Sequence, residues 1–594
     1  MSKKMKNTTQ LSKKEMAWMV KQRNQVLWNE GYLNNLRDIY ERPSRYFSGR
    51  NAMVEKVDGE NRAYTIDRMK SDIDALGTAL LSMGFKGKHF AMLAENSYEW
   101  MVCFFAVTCG VGVVAPLDKE LPDETLSKLM DKADCEGVFF TKTFKRTVRD
   151  HLATHPDFKL AVSLYTEKDG DRYSSFDALV KKGRELVESG DRSFTDAKIE
   201  PDDLATIMFT SGTTGSNKGV MLSHKNFATN VDGILSTIPT EYTSFSLLPM
   251  NHAYELSCDI FTSIYMNACI YVNDSFKNVQ KNLNEWKPEA MAAVPLVLEG
   301  FYYGILDAAE KKGMKDALMK LVAFSNKMRK KGIDLRPVLF STIQHNFCDR
   351  KFPTLVSGGA PSRAEYVTGL GDFGFHIYNG YGLTEASPTV TLNLHADEDP
   401  TSAGFPFPKT QVHIDSPDKD GIGEIWIKGD NVTKGYYKDE EANKLSFTED
   451  GWFKTGDYGR MSQDGELFVS GRKKNLIILE NGENIFPEDL EFTVMDNIHY
   501  ITQVVCFQAK KTIHGKRRDI IVVSVNIDEN HFTGKSKEQI EEIVSKDISD
   551  LNKTLPSYKK IQDVDVVMEP FEINSTRKVI RQKVIDSYVE RHKE

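Results

Sequence analysis

The chain has 594 residues, a formal net charge of −8 and 40% hydrophobic residues. Its length exceeds what one hydrophobic core usually serves, so we expect at least two domains. The composition is typical of a globular protein in water, and the negative charge excludes an overall attraction to nucleic acid.

The N-terminal segment MSKKMKNTTQLSKKEMAWMV has lysines but no apolar core, which is not the pattern of a signal peptide. The uncharged run Met101–Leu117 is shorter than the roughly 20 residues that a spanning helix needs, and glycines and a proline interrupt it. We expect a buried helix leading into a buried strand there, and no membrane-spanning segment.

The 7 cysteines are scattered along the chain without a C-x-x-C pair. This spacing argues against a zinc ribbon or a disulfide scaffold and favours a reducing, cytoplasmic location.

Short apolar runs alternate with helical periodicity along the N-terminal part of the chain. The helical pattern TIDRMKSDIDALGTALLSMGF comes first, and the runs that follow are HFAMLAEN, ATIMFTSG, SFSLLP, CIYVND, MAAVP and TLVSGG. Strands separated by helices indicate βαβ units, so we predict an α/β fold of parallel-rich sheets layered with helices. In such sheets, ligands bind at the carboxyl ends of the strands.

Lys311–Arg336 is a basic stretch with helical character. We interpret it as a helix with a solvated face. The alternative is a surface for an acidic carrier protein or for peripheral contact with an anionic membrane.

The pattern changes after Val412 to short alternating strands, and from Lys473 onward to a compact α+β pattern. We therefore predict an N-terminal domain over residues 1–471, with a β-rich subdomain at about 410–471, and a small, mobile α+β C-terminal domain over residues 472–594.

The segment TSGTTGSNKGV, Thr210–Val220, directly follows a strand-like run. Its glycines allow the backbone to curl so that several N–H groups converge on phosphate oxygens, and Lys218 adds a positive charge. The adjoining strand and the lysine argue against a flexible linker, and the missing GK[ST] ending argues against a P-loop kinase. The predicted phosphate-binding residues are Thr210, Ser211, Gly212, Thr213, Thr214, Gly215 and Lys218.

This loop resembles the phosphate loop of the adenylate-forming superfamily, which comprises acyl-CoA synthetases, adenylation domains and firefly luciferase. Further segments resemble the motifs of that family in the same order: LPMNHAYE (Leu248–Glu255), YNGYGLTEASP (Tyr378–Pro388), DGWFKTGDYG (Asp450–Gly459), SGRKKNLIILENGENIFPEDLE (Ser470–Glu491) and NSTRKVIRQKV (Asn574–Val584). The resemblance extends from Thr65 to Lys583. It implies ATP-dependent activation of a carboxylic acid to an acyl-adenylate, with release of pyrophosphate, and then transfer of the acyl group to a thiol.

The resemblance assigns nucleotide contacts to YNGYGLTE, in which Asn379, Gly380 and Gly382 line the site. Tyr381 is expected to lie against adenine and Thr384 to donate to the α-phosphate. Glu385 is the expected carboxylate ligand of Mg²⁺. The alternative for Glu385 is a carboxylate that favours the dipole of a helix N-terminus.

Two further segments resemble nucleotide-binding parts of the family. Asp457 is expected to accept hydrogen bonds from the ribose hydroxyls, with Arg472 as the second ribose contact. SGGAPS resembles the lining of the adenine and acyl pockets, where Gly358, Gly359 and Ala360 permit close approach.

His252 and Glu255 form an H-x-x-E pattern that by itself suggests a metal site. No second histidine pair accompanies it, which argues against zinc. In the family, an aromatic residue or histidine at this position shapes the acyl pocket and gates access, and we expect that role for His252.

Lys578 matches the lysine of the last family motif, which makes it the expected catalytic residue. Its charge would stabilise the oxygens where the acid carboxylate meets the α-phosphate. The resemblance also implies a C-terminal domain that swings about a hinge at Lys474 and presents the loop around Gly482 to the thiol. Two residues depart from the family pattern, because Arg577 replaces a usual glycine and Asn475 a common aspartate.

The expected enzyme is therefore a fatty acid–CoA ligase that uses ATP, Mg²⁺ and CoA. In amino-acid-selecting members of the family, the segment that corresponds to LPMNHAYE carries an aspartate that pairs with the ammonium group of the substrate, and this chain lacks it there. Several segments most resemble long-chain fatty acyl-CoA synthetases, although chain length, long or medium, stays open. One alternative is an acyl-carrier-protein ligase that loads a phosphopantetheine thiol. Another is a nucleotide-binding homologue without catalysis, which Arg577 suggests.

Overall fold

The computed structural model describes residues 30–165, 172–211, 217–238, 243–347, 353–396, 399–479, 484–513, 516–573 and 579–592. The chain divides into two compact units. The first comprises Met1–Val412, Ile427–Phe453 and Gln463–Leu467, and the second comprises His413–Trp426, Lys454–Ser462 and Phe468–Glu594. The predicted domain boundary at residue 472 stays a prediction.

Strands of the first unit form two sheets. They are β1 (Asn51–Val57), β2 (Glu60–Thr65), β3 (Lys88–Leu93), β4 (Gly112–Pro116), β5 (Cys135–Phe140), β6 (Leu160–Ser163), β7 (Tyr173–Ser175), β8 (Leu204–Ser211), β9 (Asn217–Ser223), β10 (Thr243–Ser246), β11 (Cys269–Val272), β12 (Ala290–Ala293), β13 (Thr354–Ser357), β14 (His376–Gly382), β15 (Thr389–Asn393) and β16 (Phe405–Pro406).

Helices of the first unit cover these sheets. They are α1 (Arg37–Tyr46), α2 (Ile66–Ser82), α3 (Tyr98–Ala106), α4 (Asp123–Lys132), α5 (Lys145–Thr154), α6 (Phe176–Glu188), α7 (His224–Thr237), α8 (Thr262–Met266), α9 (Val279–Trp286), α10 (Pro295–Lys311), α11 (Lys315–Arg329), α12 (Arg336–Leu339), α13 (Ser341–His345), α14 (Ala364–Asp372) and α15 (Glu440–Ser446). A π-helical segment, Tyr254–Phe261, leads into α8.

The first sheet has seven strands in the order β7-β6-β5-β3-β4-β8-β9. Its pairs are parallel except for the antiparallel pair β8–β9. The second sheet has nine strands in the order β16-β15-β14-β13-β12-β10-β11-β1-β2, and it is parallel from β14 to β1. The predicted α/β fold with parallel-rich sheets is therefore confirmed.

The uncharged run Met101–Leu117 contains the buried helix and strand that the sequence predicts. Every residue of α3 except Glu99 is buried, a short π-helical turn follows, and the chain enters β4. No helix among the described residues combines the length and the apolar character needed to cross a membrane.

The basic stretch Lys311–Arg336 is helical but not continuous. α10 ends at Lys311 and α11 runs from Lys315 to Arg329. Gly313 and Gly332 have φ angles of 67° and 81°, in the left-handed region that favours glycine, so each ends a helix. The basic residues therefore lie on three helices, α10, α11 and α12, and on the two connections between them.

The second unit contains most of a four-stranded sheet in the order β17-β18-β19-β20 and a three-stranded sheet in the order β23-β24-β25. The strands are β17 (Thr410–Asp415), β18 (Gly423–Gly429), β19 (Phe453–Met461), β20 (Leu467–Arg472), β21 (Ile477–Ile478), β22 (Asn484–Ile485), β23 (Ile501–Ile513), β24 (Lys516–Ile527) and β25 (Asp563–Val567). The helices are α16 (Pro487–Asn497), α17 (Lys537–Leu551) and α18 (Arg581–Arg591).

Helices cover both faces of the three-stranded sheet. Apolar residues of α16 and α17 pack on one face, and Val584 and Tyr588 of α18 pack on the other. This arrangement is the α+β pattern that the sequence predicts for the C-terminal region.

Candidate active site

The predicted phosphate loop is the connection of a hairpin. β8 and β9 pair in antiparallel register, with Thr210 opposite Lys218 and Phe209 opposite Gly219. A side chain at Gly219 would meet Ile207 at 2.8 Å, so the position requires glycine. Gly212, Thr213, Thr214 and Gly215 lie outside the described residues, as does the side chain of Ser211.

One tyrosine joins the hairpin to the segment that carries Glu385. The Tyr436 hydroxyl donates a hydrogen bond of 2.9 Å to Oε1 of Glu385. Nζ of Lys218 lies 4.7 Å from the centroid of the same ring, which is a cation–π contact. Burial and the negative charge of Glu385 raise the pKa of Tyr436, so the phenol stays a donor.

The backbone next to Tyr436 runs along β9. The Tyr437 amide donates to the Gly219 carbonyl at 2.7 Å, and the Met221 amide donates to the Gly435 carbonyl at 3.0 Å. The Thr433 amide donates to the Glu385 carbonyl at 2.7 Å. These bonds fix the distance between the phosphate hairpin and the Thr384–Glu385 turn.

Two buried asparagines donate hydrogen bonds to the backbone that follows the Thr384–Glu385 turn. The side-chain amide of Asn431 donates to the carbonyls of Ala386 at 3.2 Å and Thr389 at 2.9 Å. Asn230 donates to the same two carbonyls, at 3.4 and 3.1 Å. α7 carries Asn230 and begins with a capping box between Ser223 and Asn226, directly after β9.

The glycine-rich segment after β13 lies at the carboxyl edge of the nine-stranded sheet. In register, Ala293, Ser357 and Asn379 lie side by side on β12, β13 and β14. Gly358 and Gly359 follow β13, and Gly380 to Gly382 end β14. These predicted binding residues therefore share one edge, where ligands of such sheets bind.

Tyr254 fills the space next to this edge. Its hydroxyl donates to the Val356 carbonyl at 2.6 Å, and a side chain at Gly358 would meet its ring at 3.0 Å. Gly359 has a φ of 81°, which also favours glycine. Ala360, next in the chain, is half-buried, and so is Tyr381.

His252 and Glu255 have different surroundings. His252 is half-buried at the start of the turn before the π-helical segment, where its carbonyl accepts from the Leu256 amide at 3.0 Å. Glu255 is fully buried and accepts a hydrogen bond of 2.6 Å from Ser246. Burial raises the pKa of Glu255 well above its usual range. Among the described residues, the two do not belong to a metal-ligand cluster.

The second unit contains the predicted ribose pair. Nε of Arg472 lies 2.8 Å from Oδ1 of Asp457, on the adjacent strands β20 and β19. Asp457 is 3% exposed, and its amide donates to the hydroxyl of Thr455 at 3.0 Å. A buried carboxylate beside a guanidinium is an acceptor held in one orientation.

The predicted hinge region has its own hydrogen bonds. Burial, with the charges of Arg472 and Arg581, lowers the pKa of Lys474. The Asn475 amide donates to Oε1 of Glu488 at 2.6 Å. An aspartate here would place a second negative charge beside Glu488, whereas the uncharged asparagine donates a hydrogen bond to it without repulsion. Gly482, Arg577 and Lys578 lie outside the described residues.

Sequence reasoning did not find Tyr436, Asn431, Asn230 or Tyr254. Their contacts join residues far apart in the chain. Tyr254 lies within the motif LPMNHAYE, which does not indicate its contact with Val356, and the other three lie in segments without a distinctive motif. The fragment KGYYKD, in which aromatic residues follow a glycine in a polar loop, is the one available signal for Tyr436.

Two family models match the chain. The model described as AMP-binding enzyme matches residues 40–437, and the model described as AMP-binding enzyme C-terminal domain matches residues 474–591. These matches confirm the resemblance that the ordered motifs indicate.

Curated relatives match at modest identity. A long chain acyl-CoA synthetase 7, peroxisomal, from Arabidopsis thaliana is 29% identical, over 79% of this chain and 69% of its own length. A chloroplastic long-chain-fatty-acid–[acyl-carrier-protein] ligase from the same plant is 25% identical, over 93% of this chain and 85% of its own.

A solved structure supports the fold. The o-succinylbenzoate coenzyme A synthetase of Bacillus subtilis, in complex with ATP and magnesium ion, superposes with a TM-score of 0.68. The sequences are 20% identical, and the match covers 92% of this chain and 99% of that one.

Proposed function

This chain belongs to the AMP-binding enzyme family, and we propose that it is an AMP-forming acid–thiol ligase that activates a fatty acid with ATP and transfers the acyl group to CoA. The observation that carries the proposal is the contact of Tyr436 with both Lys218 and Glu385, since it joins the phosphate hairpin to the acidic turn.

In the proposed first step, an oxygen of the fatty acid carboxylate attacks the α-phosphorus of ATP. The bond to the bridging oxygen of the β-phosphate breaks, and pyrophosphate leaves. Because both reactants are anions, catalysis rests on positioning and on cationic or donor groups around the phosphate oxygens. We assign this task to the hairpin with Lys218, to Thr384 and, from its motif, to Lys578.

Glu385 is the residue we propose for Mg²⁺. A carboxylate that one tyrosine hydroxyl orients fits this ion, which takes oxygen ligands and keeps waters and substrate phosphates for its other positions. When bound, Mg²⁺ would offset the charge of the phosphates. Thr433 donates to the carbonyl of Glu385, and the two asparagines donate to the carbonyls of Ala386 and Thr389 that follow it, so Glu385 is presented on a fixed turn.

In the proposed second step, the thiol sulfur attacks the acyl carbonyl carbon. The carbon–oxygen bond to AMP breaks, and AMP leaves. From the family resemblance, we assign the approach of the thiol to the segment around Gly482, the hinge to Lys474, the ribose contacts to Asp457 and Arg472, and the gate of the acyl pocket to His252.

A fatty acid of long or medium chain is the proposed substrate, because relatives named for long-chain fatty acids match most of the chain. The relatives carry peroxisomal and chloroplastic names, and the cytoplasmic location stays a prediction from cysteine usage.

The test is acid-dependent exchange of labelled pyrophosphate into ATP, with a panel of short, medium, long-chain and aryl acids and with Mg²⁺. We expect exchange with fatty acids and none without acid. Bound ATP without exchange for any acid would favour the non-catalytic homologue.

A carrier-protein ligase is the second candidate, because such a ligase matches 93% of this chain. Thioester formation with excess CoA, against the same assay with purified acyl carrier protein, separates the two. If the carrier protein is loaded faster than CoA, the carrier protein becomes the proposed acceptor, and the proposed first step is unchanged.

A further inference from the structure

α11 has a second apolar face on its exposed side. Its core-facing side carries Leu318 and Val322, which pack in the hydrophobic cluster of the nine-stranded sheet. Residues three and four positions apart lie on one side of an α-helix, and such steps connect a separate apolar set. This set, the α11 stripe, consists of Met314, Ala317, Leu321, Phe324 and Met328. Met314, Leu321 and Phe324 are 57%, 41% and 49% exposed, so the stripe faces solvent.

The apolar surface continues past the end of the helix. The Gly332 amide donates to the Arg329 carbonyl at 2.8 Å, and the Ile333 amide donates to the Met328 carbonyl at 3.1 Å. This pair of bonds is a helix-ending motif that brings the chain back over the last turn, so exposed Ile333 lies beside Met328. From Met314 to Met328 the stripe is about 21 Å long, at a rise of about 1.5 Å per residue.

Lysines border the stripe on the side away from the core. Lys320 lies four residues before Phe324 and Lys327 three residues after it, so both are its neighbours on the helix surface. Neither lysine makes an ion pair within the described part of the chain. Residues 311–331 include eight basic residues and one acidic residue, Asp316, whereas the whole chain has a net charge of −8. The stripe is therefore an apolar surface in a local positive field.

The charge and the shape of the stripe indicate its partner. A second copy of the chain would bring the same lysines against these, and like charges repel. A bilayer with anionic lipids supplies acyl chains for Leu321 and Phe324 and phosphates for the ammonium groups. Lysine stems can lie along the apolar surface while their charges stay among the headgroups. The outer side of a single helix also fits a flat bilayer, whereas a protein partner usually binds a helix in a groove.

We propose that the α11 stripe docks the chain peripherally on membranes that contain anionic lipids. Leu321 and Phe324 enter the layer of acyl chains, and Lys320 and Lys327 contact the headgroups. Charge attraction brings the helix to the surface, and burial of the apolar side chains holds it there.

α10 connects this docking surface to the candidate active site. It begins at Pro295, two residues after Ala293 at the carboxyl edge of the nine-stranded sheet, and ends at Lys311 next to the stripe. Its 17 residues span about 25 Å. A fatty acid partitions from water into a bilayer, so docking would keep the chain at its substrate. This consequence rests on the proposed ligase function, whereas the docking itself does not.

The test is cosedimentation of the purified full chain with vesicles, without ATP or fatty acid. One set of vesicles contains phosphatidylcholine and phosphatidylglycerol in equal parts, and the other contains phosphatidylcholine alone. We expect binding to the mixed vesicles, weaker at high salt because salt screens the charges, and little binding to the neutral ones. Lys320→Glu/Lys327→Glu and Leu321→Gln/Phe324→Gln should each lower the membrane affinity about tenfold or more. The second variant keeps every charge, so its loss separates insertion from attraction by charge alone.

Lys444→Glu/Lys546→Glu and Leu445→Gln are the matched controls. Lys444 and Lys546 are exposed on α15 and α17, and Leu445 is 70% exposed, so these variants make the same changes away from the stripe. They should bind the mixed vesicles like the wild type, and the melting temperature should stay the same in all variants because the substituted residues are exposed.

Absence of wild-type binding to the mixed vesicles, or equal binding by both stripe variants, would overturn the proposal. A dimer, or a complex with purified acyl carrier protein, that depends on the stripe while vesicles are not bound would also overturn it. Pyrophosphate exchange is measured separately without vesicles. A chain that binds the vesicles but activates no acid would refute the proposed ligase function and leave the docking surface in place.

Discussion

The Tyr436 ring contacts both charged groups of the candidate phosphate site, with its hydroxyl 2.9 Å from Glu385 and its face 4.7 Å from Nζ of Lys218. The hydroxyl holds a carboxylate oxygen, and the ring holds an ammonium group. One buried side chain therefore sets the separation of an anion and a cation that would face the same nucleotide.

Tyr436→Phe should keep the ring under Lys218 and remove the donor to Glu385. Hydrogen bonds to charged groups contribute about 1.5–3 kcal/mol, so we expect kcat/KM for pyrophosphate exchange to fall about 10- to 100-fold. The Mg²⁺ concentration needed for half-maximal exchange should rise. Tyr437→Phe is the control, because its hydroxyl contacts Asp134 and not Glu385. Equal rates in both variants would refute the orienting role.

Asn431→Ala should disturb the turn that carries Thr384 and Glu385. It removes donors to two buried carbonyls, and we expect a loss of about 2 kcal/mol in stability and a lower kcat. Asn282→Ala is the control, since Asn282 is also fully buried but donates to Asn273 and Asp274. Melting temperature and exchange rate are measured for both variants. A loss of kcat of the same size in the control would mean that stability alone explains the effect.

Asn475→Asp should destabilise the second unit by about 1 kcal/mol at pH 8, because two carboxylates would then adjoin. Asn475→Ala, which loses the hydrogen bond without adding charge, should cost less. The difference between the variants should shrink at pH 4, where one carboxylate takes up a proton. Melting temperatures of both variants at the two pH values provide the test, and an aspartate variant as stable as the wild type at pH 8 would contradict it.

Glu99 should make stability fall as pH rises. Burial, with the neighbouring charge of Glu55, raises the pKa of Glu99 from 4.5 to about 7 in the folded chain. The folded state then holds the proton more tightly, so its contribution is fully present below pH 4.5 and is lost as pH rises toward 7. Glu99→Gln should remove that part of the pH dependence. Urea unfolding of both proteins at pH 5 and pH 8 measures it, and parallel changes would contradict the assignment.

Lys578→Ala should abolish pyrophosphate exchange and leave the melting temperature unchanged. The prediction rests on the motif NSTRKVIRQKV, because the lysine lies outside the described residues. Lys583→Ala is the control from the same segment, where Lys583 pairs with Glu572 on the surface. Exchange at the wild-type rate in Lys578→Ala would refute its catalytic role.

Local sequence patterns predicted the fold class and the positions of most strands, because hydrophobic periodicity and turn preferences depend on only a few neighbouring residues. The Lys311–Arg336 stretch shows the limit of such patterns. Its composition predicts one helical stretch, whereas the chain leaves α10 at Gly313, which has a positive φ. Motifs also located Lys218 and Glu385. They could not locate Tyr436, which lies 51 residues from Glu385 and acts through tertiary packing.

The central claim is that a carboxylate oxygen of a fatty acid becomes bonded to the α-phosphorus of ATP. A single turnover with ¹⁸O-labelled fatty acid, ATP and CoA, followed by mass spectrometry of the nucleotide, tests this bond directly. We predict AMP that carries one ¹⁸O atom, because the bridging oxygen leaves with AMP when the thiol attacks. Unlabelled AMP, or ADP with the label in orthophosphate, would contradict the account.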